Sequence, residues 1–154
     1  MTPMEYFTDV VEPNLAALTA DYGSIRHSLN AVYAVDALAA HVFYASKGAA
    51  PGADDILYRA ELAKRFPEFA LLRDIAKAVK HVRLIRGSPQ TSRGDAVEAR
   101  ALGYGEAVYG DGRWDGPPQT VIPLDSGGVR VVETVAKNAL KVLKDEMAKY
   151  GLDK

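Results

Sequence analysis

Residues 24–46 read SIRHSLNAVYAVDALAAHVFYAS, and this stretch decides the fold class. Ser24 stands where a helix cap belongs, and Ile25, Leu29, Val32, Ala39 and Phe43 recur at helical spacing to form one apolar stripe. Val35, Leu38 and Val42 add a second apolar face. A helix that is apolar over most of its circumference belongs at the centre of a bundle. The spacing therefore predicts a helix over 24–46 as the most buried element of a mostly α protein, with Leu29, Val32 and Phe43 inside.

The flanking segments extend the bundle. Upstream, Thr2-Pro3-Met4-Glu5 carries a cap, a proline suited to the first helical position and the glutamate of a capping box. Tyr6, Phe7, Val10 and Val11 follow at helical spacing, and Pro13 is expected to kink or restart the helix before Asp21-Tyr22-Gly23. Downstream, Lys47 to Asp54 reads as a loop. Asp54 or Asp55 then caps a third helix over about 55–65, with Ile56, Leu57, Leu62 and Phe66 as its apolar side. Pro67 interrupts, and a fourth helix is expected from Glu68 to about Arg86, buried through Leu71, Leu72, Ile75, Ala78, Val79 and Val82 and closed by Gly87.

Between 87 and 128 the character changes, for nine of the thirteen glycines and four of the eight prolines fall there. Asp95 to Leu102 alternates weakly, as an edge strand does. Thr120 to Leu124 and Val129 to Val132, joined through Asp125-Ser126-Gly127-Gly128, read as a β-hairpin. The last helix is expected over about 133–150, with Val132, Ala136, Leu140, Leu143 and Met147 inward and Lys137, Lys141 and Lys144 outward; Gly151 and Leu152 resemble a left-handed glycine closure. The expected architecture is one domain spanning 1–154. It has a helical segment 1–86, a glycine-rich loop and β element 87–132, and a C-terminal helix 133–151. The whole is a helical bundle of four to five helices with a small β-hairpin and edge-strand insertion before the last.

Composition supports this. Of 154 residues 24 are alanine, the best helix former and a poor filler of space. The absence of cysteine excludes disulfides, thiolate metal sites and a cysteine nucleophile. The N-terminal stretch is acidic and amphipathic, unlike a secretion signal, and no apolar run is long enough to span a bilayer. A cytoplasmic location without membrane contact is the expectation. The net charge of −1 exerts no global pull on nucleic acid. Locally, residues 1–21 hold four acids and no Lys or Arg, whereas 73–93 hold six Lys and Arg against Asp74 alone.

A few residues are candidates for chemistry. Asp36 shares the helical angle of Ile25, Leu29, Val32 and Phe43, so a carboxylate lies in an apolar stripe and must find a partner. The basic residues of the fourth helix, Tyr33 and Tyr58 are the candidate partners. Arg73, Lys77 and Lys80 lie within about 60° around the fourth helix, spaced to follow phosphates, with His81 beside them. Candidate binding residues are His27, Asn30 and His41 on the second helix, and Tyr104, Tyr109 and Trp114 in the glycine-rich loop. His27 and His41 share a face but stand about 21 Å apart along the axis, so one metal cannot take both. No histidine pair has the spacing of a helix-borne metal site, and neither metal nor cofactor is expected. Gly103 to Gly116 lacks the third glycine of a dinucleotide loop, the Gly-Lys-Ser/Thr of a phosphate loop and the acidic pattern of a calcium loop. Its aromatics are expected to fold back on the bundle more readily than to meet a partner.

The run Ser24 to Tyr44, rich in alanine and tyrosine, resembles the corresponding helix of HEPN-type bundles, among which are RNA-cleaving toxins and nucleotide-linked partners. The nuclease members share an arginine and a histidine separated by four to six residues. Here seven residues separate Arg73 from His81, and Arg26 abuts His27, so no catalytic residue is carried over. The leading expectation is a non-enzymatic interaction or structural module of a small prokaryotic type, self-associating as a dimer, with nucleic acid an unlikely partner. The alternative is an RNA- or nucleotide-handling enzyme using His81 with Arg73 or Lys77. An extended apolar patch outside the core would mark the first, a cavity where charged groups converge the second.

Overall fold

A computed structural model describes residues 1–47 and 52–153. Among them are five helical rods and a small three-stranded sheet, so the fold is mostly α. The expected loop over Lys47 to Asp54 falls partly on residues 48–51, outside the described residues.

The first rod is continuous. Thr2 caps α1 (Pro3–Tyr6): its hydroxyl accepts from the Glu5 amide, and the Glu5 carboxylate accepts from the Thr2 amide. A π turn (Phe7–Val11) leads without a break into α2 (Glu12–Ala20). Pro13 stands in the first turn of α2, where the α-helix resumes after the π turn, and the backbone stays helical through it. A wider turn in which the Glu12 amide reaches back to Phe7 accommodates a proline that would otherwise crowd the preceding turn.

The long helix α3 (Ile25–Lys47) packs against the first rod, α5 and α6. Val32, Val35, Leu38, Ala39 and Val42 are wholly buried. The face through Val35, Leu38 and Val42 is the deeper one; Leu29 and Phe43 are half-buried and Ile25 is 38% exposed. The Ile25–Phe43 stripe is thus the shoulder of the core, and Asp36 sits on it.

The short helix α4 (Ile56–Arg65) is rotated from the expected orientation. Ile56 and Leu57 are exposed, while Tyr58, Arg59, Leu62 and Phe66 turn inward. On this inward face Arg59 pairs with Asp36 of α3 and with Asp55 one turn before it, and Leu62 enters the core. Phe66 alone separates α4 from α5 (Pro67–His81), with Pro67 at the first helical position.

The fourth predicted helix ends five residues early. Val82 adopts a left-handed φ of 66°, unfavourable for a β-branched residue, and residues 82–93 fold back as a loop. Long-range contacts hold it: Arg83 bridges Arg93, the Leu84 amide donates to Ser92, and Asp74 accepts from the Gln90 amide at 2.8 Å. Ser92 in turn donates to Asp125 through both its amide and its hydroxyl. Gly87 is exposed in this loop and ends no helix.

The sheet has the order β1 (Glu98–Arg100), β2 (Gln119–Pro123), β3 (Val129–Val131), all antiparallel. Asp95 to Leu102 is only partly strand. Residues 94–96 form a 3-10 turn, and Ala99 and Ala101 face solvent while Arg100 is half-buried between Glu98 and Glu106. The hairpin pairs Val121 with Val131, and α6 (Val132–Lys149) follows at once with the expected inward and outward faces. Gly151, at φ 66°, closes α6 while the Leu152 amide donates to Met147.

Buried polar groups pin the glycine-rich loop. Asp111 accepts from Arg130 at 2.7 Å and from the Val131 amide, and Arg113 donates to the buried Glu133. Gln119, fully buried, accepts from the Arg113 amide at 2.8 Å and donates to its carbonyl at 2.7 Å. Gln119→Leu deprives both backbone groups of their partners. We expect a loss of about 2 kcal/mol in urea unfolding and faster hydrogen exchange at the Arg113 amide. Unchanged exchange there would show that the loop is held by other contacts.

Candidate functional site

Three helices meet at a cleft of about 530 Å³. From α3 come Tyr33, Asp36 and Ala37; from α4, Arg59; from α5, Arg73, Ala76, Lys77, Lys80 and His81. Helical spacing puts each set on one face: 33, 36 and 37 lie within about one turn, and 73, 77 and 80 follow the i, i+4, i+7 pattern. The small side chains of Ala37 and Ala76 keep the space between α3 and α5 open. The structure therefore brings Asp36, Arg73, Lys77 and His81 together. Arg59 is the member that sequence reasoning missed; the one local signal was its position four residues after Asp55.

The charges are unbalanced. Among the described residues Asp36 is the one acid lining the cleft, and its Oδ2 accepts from the Arg59 guanidinium at 2.7 Å. Among the described residues, Arg73, Lys77, Lys80 and His81 enter no ion pair and no side-chain hydrogen bond. Arg73 is half-buried, so burial works to lower its pKa while the nearby Asp36 carboxylate opposes. Asp74, one residue on, is committed to Gln90. The cleft accordingly holds a half-buried Arg73 and the exposed Lys77, Lys80 and His81, while Asp36 pairs with Arg59 within it.

Burial pushes the Asp36 carboxyl above the ordinary carboxylate value, and Arg59, Arg73 and Lys77 only partly offset it. Its sign of linkage follows. A native pKa raised above the unfolded one gives a stability contribution that is full below the unfolded value and lost as pH rises through the native value. Charged Asp36 is thus tolerated near neutrality because of Arg59. Arg59→Met is expected to cost about 2 kcal/mol at neutral pH, less than for a fully buried pair, and to recover some of this in acid as Asp36 protonates. Melts at pH 7 and at stepwise lower pH down to the ordinary carboxylate range check this; a loss that stays the same throughout would assign Arg59 a packing role instead.

The other candidates lie apart from the cleft. His27 is half-buried in the first turn of α3, where its amide donates to the Ser24 hydroxyl. His41 stacks on Tyr6 with ring centroids 4.0 Å apart, and burial lowers its pKa. Asn30 borders a shallow groove with Tyr6 and Asn14. Among the described residues no three His, Asp or Glu side chains cluster as a metal would need. Tyr104 and Tyr109 do not fold back: they are 100% and 98% exposed, with Trp114 5.8 Å from Tyr104 between ring centroids. The buried anchors Asp111 and Gln119, with Glu133 pairing the exposed Arg113, hold the loop, and Tyr104 and Tyr109 stay on the outside.

No helix among the described residues is long and apolar enough to cross a membrane. Compared with known proteins, the chain matches no family model, no curated protein and no solved structure.

Proposed function

We propose that the protein binds the phosphate of RNA or a nucleotide in the cleft between α3, α4 and α5. The observation that carries this reading is the convergence of Arg73, Lys77, Lys80 and His81 around one cavity in which, among the described residues, the one acid, Asp36, is paired with Arg59. Like charges held close repel, and an anion placed among them relieves that repulsion while gaining charge-assisted hydrogen bonds. Arg73 offers the planar fork suited to two phosphate oxygens; the lysines act as point charges beside it. Histidine is the side chain best suited to move a proton near neutrality, so His81 is the group we assign to any phosphodiester chemistry in the cleft. Fluorescence anisotropy with a labelled single-stranded RNA, titrated over a range of salt, tests the reading. Binding that weakens linearly in log salt supports it, and absence of binding to RNA and to mononucleotides rejects it.

The exposed Tyr104, Val108 and Tyr109 favour a second reading, a protein-interaction module that includes self-association. Symmetric dimers are the commonest soluble assemblies. Sedimentation of the wild type beside Tyr104→Ser/Tyr109→Ser decides it: a dimer lost in the variant supports this reading, a monomer at high micromolar concentration removes self-association.

A further inference from the structure

The cationic cleft has a neighbour. A shallower groove of about 360 Å³ lies across Tyr33 and Ala37, which line both spaces. Asn30, Tyr33, Ala34 and Ala37 stand at i, i+3, i+4 and i+7 of α3 and so form one ridge between the two. Tyr6, Val10 and Asn14 of the first rod make the far wall.

The chemistry changes across that ridge. One side is cationic; the other is aromatic, with amides. The alanines keep the ridge low, and Tyr33, 39% exposed, stands up from it. Tyr6 is held in place by its stack with His41. The Asn14 amide nitrogen donates to the Val10 carbonyl at 2.8 Å, which leaves its oxygen as an acceptor. Asn30 makes no side-chain hydrogen bond among the described residues, so its amide can both donate and accept. A cation cluster joined through a tyrosine to a groove bearing amides matches the layout of one nucleotide: phosphate, then a flat ring with a polar edge.

Building on the phosphate reading, we propose that cleft and groove form one bipartite site for a nucleoside monophosphate unit. Its phosphate lies among Arg73, Lys77 and His81, its base stacks on Tyr33, and the base edge meets Asn30 and Asn14. A free mononucleotide and one residue of a single-stranded RNA present this same chemistry.

Isothermal titration of the full chain with inorganic phosphate, ribose 5-phosphate, the four ribonucleoside 5′-monophosphates and an RNA tetranucleotide tests the proposal. At least one mononucleotide is expected to bind about tenfold more tightly than ribose 5-phosphate, the usual scale of base–aromatic stacking. Tyr33→Ala should erase that advantage over ribose 5-phosphate, whereas Tyr33→Phe should keep it. Arg73→Gln should weaken every ligand. A tetranucleotide far tighter than any mononucleotide identifies a strand as the ligand, and equal affinities identify the free nucleotide; both keep the bipartite site. Mononucleotides no tighter than ribose 5-phosphate overturn the base subsite while the phosphate site stands. No binding by any phosphate compound overturns both.

Discussion

Replacing Gly94 by alanine is expected to destabilise the protein by about 3 kcal/mol or more, and to lower its melting temperature by roughly 6–12 °C. A Cβ at this position would overlap the carbonyl oxygen and carbon of Ala78 and lie 2.5 Å from the Val79 nitrogen. These are backbone atoms of α5, and Ala78 is wholly buried, so nothing nearby can swing aside. The Gly94 amide also donates to the Val82 carbonyl at 3.0 Å, which fixes the residue against the end of α5. The cost is steric, because the backbone there is not in the left-handed region. The same turn of α5 carries Lys77, Lys80 and His81, and a displaced helix end should therefore weaken ligand binding as well. A melt matching the wild type would mean that residues 82–94 do not lie against α5 as described.

The largest functional effect is expected at Arg73. Arg73→Glu puts a carboxylate beside Asp36 in the cationic cleft, and affinity for single-stranded RNA or a mononucleotide should fall by about a hundredfold, the scale of a lost charge-assisted hydrogen bond plus a repulsion. Arg73→Lys keeps the charge without the fork and should lose about tenfold. Lys80→Ala, at an exposed position, should act mainly through charge and make the salt dependence of RNA binding shallower by about 0.7, as for one phosphate contact fewer. Circular dichroism and melts establish that each variant is folded. Arg73→Glu with wild-type affinity would place the ligand elsewhere.

Much of the helical frame was legible because its signals are local. The capping box at Thr2 and Glu5, the periodicity of α3 and α6 and the turn Asp125–Gly128 all lie within a few residues of what they determine. The end of α5 was not. Val82 to Arg86 continues a helical pattern, and it is the bridge between Arg83 and Arg93, with Gly94 against Ala78, that overrides it. The inward face of α4 was not legible for a similar reason: the contacts on it, the tie of Arg59 to Asp36 across 23 residues and the packing of Leu62 in the core, are long-range, and Ile56 and Leu57 lie in solvent. No local pattern marks Glu133, Glu146 and Gln119 as buried, because their partners Arg113 and Arg65 lie 6 to 81 residues away.

The site was legible in pieces. Arg73, Lys77 and Lys80 fall on one helical face by spacing alone, and Asp36 stood out as a carboxylate among apolar neighbours. That these faces confront one another across Ala37 and Ala76 depends on how α3, α4 and α5 cross, which no local pattern records. The loop aromatics show the converse. Tyr104 and Tyr109 have the composition of residues that pack, but the loop is anchored by polar contacts of Asp111, Arg113 and Gln119 and not by its aromatics.

The central claim, an anion site between α3, α4 and α5, is most directly tested by titrating the isotopically labelled protein with inorganic phosphate at low ionic strength and following its amide and side-chain resonances. Saturable shifts should concentrate at residues 33–37 and 73–81, with the Arg73 guanidinium and His81 imidazole signals among them, and should vanish in Arg73→Glu. Shifts absent from this cleft, or scattered over the exposed lysines and unchanged in Arg73→Glu, would contradict it.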